Sequence, residues 1–272
     1  MPAVIPAVIR IDNPDDPRLA DYRCVRERDL VGRQGSFIAE GVVVLEKLVR
    51  DGRHPLRSLL VADKRLAALA GLFAGLAHDV PVYAASQAVM DTVVGFAIHR
   101  GVLGLGARAE PDLDAVLAAL PEQALVIGLV GIANHDNMGG LFRNAAAFGA
   151  DAVLIDDGCC DPLYRKAIRV SVGAALTVPF ARAGSASQMV DRLRRAGFDL
   201  VALSPNGALE LGDLRTGPRT AVLFGAEGPG LPGAVLALAQ SVRIDMAGGF
   251  DSLNVATSSG VVLHHLTAKC QK

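Results

Sequence analysis

Tryptophan is absent and aromatic residues make up only 4% of the 272 residues. A surface that reads bases by stacking would therefore have to use a few Phe or Tyr rings and arginine planes. Cysteine is scarce as well. Cys24, Cys159, Cys160 and Cys270 show neither CxxC spacing nor histidine partners, which argues against a zinc site and a disulfide framework and leaves buried or idle thiols. No apolar run reaches the roughly 18 residues of a membrane span, and no basic segment followed by an apolar stretch and a cleavage site opens the chain. A soluble cytoplasmic protein without a membrane or metal partner is expected. Neither sign of charge dominates: the formal net charge is -1, with 14 basic against 13 acidic residues up to residue 110 and 13 against 15 beyond it. A nucleic-acid partner would have to be held by local clusters and shape, not by global charge. The phosphate-loop pattern GxxxxGK[ST] is missing, and neither Gly128 with Gly131 nor Gly104 with Gly106 supplies a GxGxxG fingerprint, which excludes a dinucleotide oxidoreductase.

What the chain has is apolar bulk and alternation. Hydrophobic residues make up 51%, and 272 residues is the size at which one core tends to split in two. Up to residue 107 the pattern predicts a mixed-charge helical piece over 18–33, helices over 42–50, 63–77 and 85–94, and strands over 56–62, 80–84 and 102–105. Short connections between them imply a small α/β unit with largely parallel pairing. Residues 108–120, with Glu110-Pro111-Asp112, read as a linker and short helix, and 121–272 as a second α/β domain. Its strands are expected at 125–130, 152–155, 176–180, 198–203, 220–224 and 241–244, with helices between them and a last one from 253 to about 268. That is a parallel sheet covered on both faces, whose ligands bind at the carboxyl ends of the strands.

The most informative stretch lies there. After the 125–130 run, Asn137 is placed to cap a helix whose Met138, Leu141, Phe142, Ala145 and Phe148 recur at helical spacing, with Gly149 at its end. Arg143 points away from that stripe, so packing does not explain it. Two glycine-bearing loops follow later strands, 224–233 with the single acid Glu227, and 244–255 with Ser252 placed as a helix N-cap and Asn254 in the first turn. The turn Leu203-Ser204-Pro205-Asn206-Gly207 borders the same crevice.

Together, Asn137-x-Gly139-x-x-x-Arg143, Gly225-Ala226-Glu227-Gly228-x-Gly230-Leu231, and Ile244-x-Met246 with Ser252-Leu253-Asn254-Val255 resemble the three ordered motifs of the SpoU (TrmH) branch of the SPOUT methyltransferases. The resemblance covers about 121–272. It implies transfer of a methyl group from S-adenosylmethionine to a ribose 2′-hydroxyl of RNA, a deep trefoil knot in the C-terminal domain, and a homodimer formed through that domain. It also implies cofactor contacts at Leu203, Gly225, Gly230, Ile244, Met246 and Leu253. Arg143 would stabilise the developing alkoxide and clamp a phosphate, with Asn137 and Glu227 positioning it and the ribose. Asn254 and Ser252 either hydrogen-bond substrate or cap their helix. Asp245 departs from the family, where proline is usual. Residues 1–107 resemble, through Phe37-Ile38-Ala39-Glu40-Gly41 and His99-Arg100-Gly101, the substrate-binding domain often fused in front, itself similar to a small ribosomal protein. Arg165, Lys166 and Arg169 form a basic helical edge suited to RNA. Large-subunit ribosomal RNA is the expected substrate; transfer RNA and a catalytically inactive RNA-binding or assembly protein are the alternatives.

Overall fold

The computed structural model describes residues 7–23, 30, 35–109, 112–249 and 252–270. Of the arginines in the 18–33 segment, Arg26, Arg28 and Arg33 lie outside the described residues. Contacts divide the chain into two units, one from residues 1–109 with 163–177, the other from 110–162 with 178–272.

In the first unit β1 (Val8–Arg10), β2 (Ser36–Glu40), β3 (Leu56–Ala62), β4 (Val82–Ala85) and β5 (Val102–Ala107) form a sheet in the order β1-β4-β3-β5-β2. β4 is parallel to β1 and β3, but β5 is antiparallel to β3 and β2, so the pairing is mixed where largely parallel pairing was expected. Strand β2, which the sequence pattern does not predict, adds a second antiparallel pair to the one between β3 and β5. All its residues are buried, Ser36 and Glu40 included, so it shows no polar alternation and reads as a lead-in to the next helix. That helix, α1 (Val42–Asp51), buries Val44, Leu45 and Leu48 and ends on Gly52 in the left-handed conformation. The helix expected over 63–77 breaks into two 3-10 turns and α2 (Ala70–Phe73), in keeping with Gly71 and Gly75 inside the segment. α3 (Gln87–Val94) starts at Ser86, whose hydroxyl accepts the Val89 N–H, and packs Met90 and Val93 into a core with Leu19, Tyr22, Leu60 and Leu103.

Two later helices, α6 (Arg165–Val170) and α7 (Ala174–Thr177), belong to this unit. Lys47 Nζ donates to the Val172 carbonyl at 2.7 Å and Arg53 to the Thr177 carbonyl at 2.8 Å. α7 stands where a strand over 176–180 was expected. The Ser171 hydroxyl accepts the Ala175 N–H and starts the turn, and the strand begins only beyond Pro179.

His54 is buried at 2% exposure, edge-on to Phe37, with Nδ1 accepting the Ala109 N–H at 3.1 Å. Burial, helped by the Arg53 charge, pushes its pKa down from 6.5 to about 4. The unfolded chain therefore binds a proton below pH 6.5 that the folded chain refuses until about pH 4. Stability is full above that window and falls through it by up to about 3 kcal/mol. Urea midpoints measured from pH 7 to pH 4.5 should drop, and His54→Gln should flatten the slope.

The second unit is a seven-stranded sheet of β6 (Ala124–Leu129), β7 (Ala152–Ile155), β8 (Phe180–Arg182), β9 (Asp199–Leu203), β10 (Leu209–Glu210), β11 (Arg219–Phe224) and β12 (Gln240–Arg243). Its order is β10-β12-β9-β11-β6-β7-β8, and every pair is parallel. Its helices are α4 (Leu113–Ala118), α5 (His135–Ala147), α8 (Ala186–Arg195), α9 (Gly233–Leu236) and α10 (Val255–Cys270). Strands such as β7 are buried along their whole length, as a sheet covered on both faces requires.

α5 begins one turn earlier than the sequence suggests. Asn134, not Asn137, is the N-cap, its Oδ1 accepting the Asp136 N–H at 2.8 Å. That leaves the buried Asn137 side chain inside the first turn and available for other bonds. At the far end Gly149 has φ +69° and the Ala150 N–H closes on the Ala145 carbonyl, so a glycine is required there. α5 lies close along α10: a Cβ on Gly140 would press on Ala256, and Asn144 Nδ2 donates to the Ala256 carbonyl at 2.6 Å and the Ser259 hydroxyl at 2.8 Å.

Candidate active site

At the carboxyl ends of β9, β11 and β12 a cavity of about 400 Å³ opens. The chain leaving β9 gives it Leu203, Ser204 and Pro205; the loop after β11 gives Gly225 to Gly228 and Gly230; the loop after β12 gives Ile244 and Met246. Ser252, Leu253, Asn254, Val255 and Ser258 close it at the start of α10. Every cofactor-contact residue expected from the sequence lines this cavity: Leu203, Gly225, Gly230, Ile244, Met246 and Leu253. Such a pocket, apolar side chains over exposed backbone, suits a ligand of nucleoside and amino-acid size.

The loop after β11 is shaped by its glycines. Gly230 has φ +67°, and its N–H bonds the Ala226 carbonyl at 3.0 Å, folding 226–230 into a tight turn. The turn brings the Gly230–Leu231 backbone over Gly225, where a Cβ would overlap it.

One side chain joins the three motif segments. Asn254 Nδ2 donates to Asn137 Oδ1 at 2.8 Å and to Glu227 Oε1 at 3.0 Å, while its Oδ1 accepts the N–H groups of Ala256 and Thr257. Asn254, not Ser252, is therefore the residue that caps α10, and it serves the cap and the cluster at once. Asn254→Asp keeps the cap but turns a donor into an acceptor facing the Glu227 carboxylate. It should weaken ligand binding at the cavity at least tenfold, whereas Asn254→Ala should also lose about 1 kcal/mol of stability in thermal unfolding.

Arg143 is exposed and does not line the cavity. It sits six residues beyond Asn137, about 240° further round α5, and so faces elsewhere. Arg165, Lys166 and Arg169 lie on α6 in the other unit.

Several supports carried no signal in the sequence. Buried Asp156, after β7, accepts the Gly131 N–H at 2.9 Å and the Gly158 N–H at 3.1 Å through Oδ1. The Cys159 thiol donates to the Leu129 carbonyl and accepts the Ile132 N–H, both at 3.3 Å. Burial pushes this thiol up to about 12, so it stays protonated and holds the loop that leads into α5. Asp245, the departure from the family pattern, pairs with Arg243 Nε at 3.0 Å. Arg243 also holds Glu210 at 2.6 Å and the Gly207 carbonyl, so it ties the 244–246 loop to the turn after β9. Most of these partners are distant in sequence, such as Asp156 and Gly131 or Arg243 and Glu210. Among the described residues, no three His, Cys, Asp or Glu side chains gather into a metal site, and no helix is long and apolar enough to cross a membrane.

The sequence and fold are similar to those of known proteins. Residues 124–264 match the SpoU rRNA Methylase family. The chain is 42% identical over 265 residues to an uncharacterized tRNA/rRNA methyltransferase of Mycobacterium tuberculosis, covering 94% of this chain and 90% of that one. A solved RNA 2′-O ribose methyltransferase superposes with a TM-score of 0.80 at 28% identity, over 97% of this chain and 100% of the other. The SpoU methyltransferase AviRb from Streptomyces viridochromogenes, solved with its cofactor AdoMet, superposes with a TM-score of 0.82 at 25% identity, over 94% and 99% of the two chains. The α/β fold with its parallel sheet is thus that of SpoU-type RNA methyltransferases. This chain belongs to the SpoU methylase family.

Proposed function

We propose that this protein methylates a ribose 2′-hydroxyl of RNA, with large-subunit ribosomal RNA as the substrate. The methyl donor is S-adenosylmethionine, as in the AdoMet-bound relative AviRb. The observation that carries the reading is the Asn137–Asn254–Glu227 cluster on the wall of a cavity lined by all six expected cofactor residues. The solved 2′-O ribose methyltransferase, similar along the whole chain, supports the ribose as the acceptor.

When bound, the cofactor supplies an electrophilic sulfonium methyl. The chain's part is to hold and orient. Ile244, Met246 and Leu253 would cover adenine while the backbone at Leu203, Gly225 and Gly230 approaches it closely. Glu227 and Asn254 would position the ribose, with Ser252 beside them. A guanidinium stays charged in proteins, so Arg143 would act by steadying negative charge on the 2′-oxygen and gripping the adjacent phosphate, not as a base. Because Arg143 faces away from its own cavity, we assign it to the cavity of a second copy, in a homodimer formed through the C-terminal domain. The reading includes a substrate-binding domain over 1–107, a linker over 108–120 and a catalytic domain over 121–272, knotted as a trefoil. β12 lying between β9 and β10 supports the knot. RNA contacts by Arg165, Lys166 and Arg169 and a cytoplasmic location complete it.

The test is calorimetric titration with S-adenosylmethionine, followed by incubation with unmethylated ribosomal and transfer RNA transcripts and mass spectrometry of the nucleosides. A 2′-O-methylnucleoside in the large-subunit RNA is expected. A methylated base would remove the ribose assignment, transfer to transfer RNA alone would move the substrate, and binding without transfer would favour an RNA-assembly role.

A further inference from the structure

Phe96 is the one exposed aromatic ring among the described large hydrophobics, at 40% exposure. A lone exposed ring is ordinary on a protein surface, but this one is built in. It follows Gly95, which ends α3 in the left-handed conformation. Its loop is then pinned: Asp91 accepts the Ile98 N–H at 2.9 Å, Gln87 donates to the Ile98 carbonyl at 2.9 Å and to Asp91, and Ile98 is buried. The ring is therefore held out on a fixed loop.

Second, Arg165 of α6 lays its guanidinium over the ring, 4.4 Å from the centroid. The buried Glu40 carboxylate, 3.7 Å from Arg165, holds that guanidinium in place. Third, among the described residues the same loop and α6 carry further basic side chains. His99 and Arg100 follow on the same loop, with Arg100 donating to the Glu40 carbonyl at 3.3 Å, and Lys166 and Arg169 are exposed on α6. Of the described acids, Glu40 pairs with Arg165 and Asp91 accepts from the loop backbone.

A planar ring backed by a guanidinium, on a loop and helix that carry further basic side chains, matches one chemistry: an unstacked nucleobase on a phosphate backbone. We infer that Phe96 with Arg165 forms a stacking platform for a single-stranded nucleotide of the RNA, flanked by His99, Arg100, Lys166 and Arg169 as phosphate contacts. The inference rests on the RNA reading above and adds to it a class of substrate feature, an unpaired base rather than a duplex. Duplex RNA offers no exposed base face to such a ring.

The chain contains no tryptophan, so Phe96→Trp in the full-length protein gives a fluorophore that reports this site alone. Titration with a random-sequence 12-residue oligoribonucleotide should quench it, and the same length of blunt duplex should not. In fluorescence anisotropy, Phe96→Ala should bind the labelled single strand about tenfold more weakly, with unchanged affinity for S-adenosylmethionine. Lys166→Ala should shallow the salt dependence of binding while leaving the quench intact. If the wild type binds the single strand but Phe96→Ala binds it equally well, or Phe96→Trp is not quenched at saturation, the platform is wrong and the RNA reading survives. If the wild type binds neither RNA, the RNA reading fails and takes the platform with it.

Discussion

Gly225→Val should abolish binding of S-adenosylmethionine, with calorimetry registering a loss of more than about 100-fold, to the limit of detection. The argument is one of space. The Cβ of any other residue at 225 would fall within the backbone of Gly230 and Leu231, and backbone cannot rotate away as a flexible side chain can. The turn over 226–230 would have to open, and it carries one wall of the cavity. Even Gly225→Ala should be severe. Gly230→Ala offers a contrast, since nothing lies within 4 Å of a Cβ there and the penalty comes only from φ +67°. It should cost about 1–2 kcal/mol and leave weakened, measurable binding. Equal affinity in Gly225→Val and wild type would detach the cofactor from this loop.

Arg143→Ala should lower kcat by about 1000-fold while the affinity for S-adenosylmethionine stays within a factor of about two. Its unfolding temperature should not move, because the side chain is exposed and packs no core. The decisive version mixes variants. In the proposed homodimer, co-expression of Arg143→Ala with Gly225→Val would create pairs in which one cavity is intact and receives Arg143 from the other chain. Activity should return in that mixture although neither variant has it alone. Mixed pairs as inactive as their parents would place Arg143 at its own cavity or outside the chemistry.

Much of the parallel-sheet unit was legible because its strands are short buried runs and its helices repeat at 3.6 residues. Strand β7 and the Met138–Leu141–Phe142–Ala145 stripe needed no tertiary information. The cavity residues were legible through motif order. What escaped depended on partners distant in sequence. Two asparagines three residues apart could each cap α5, and only the position of Asn254 shows why Asn137 is the one left uncapping. β2 was hidden because total burial erases alternation, and α7 because a serine hydroxyl, not an apolar period, starts it. Asp156 and Cys159 look like an ordinary acid and an idle thiol until the loop they hold is seen.

The position of β12 sets the order in which the molecule can be finished. This strand follows the other six strands of its sheet along the chain, yet it lies between β9 and β10, and among the described residues β10 has no other neighbour in the sheet. β6, β7, β8, β9 and β11 pair among themselves without it, but Ile244 and Met246 of the cavity and the helix that brings Asn254 to Asn137 all follow it. The donor site proposed above is thus the part of this unit that most depends on β12 and α10, and a chain cut at residue 239 should show no calorimetric binding of S-adenosylmethionine.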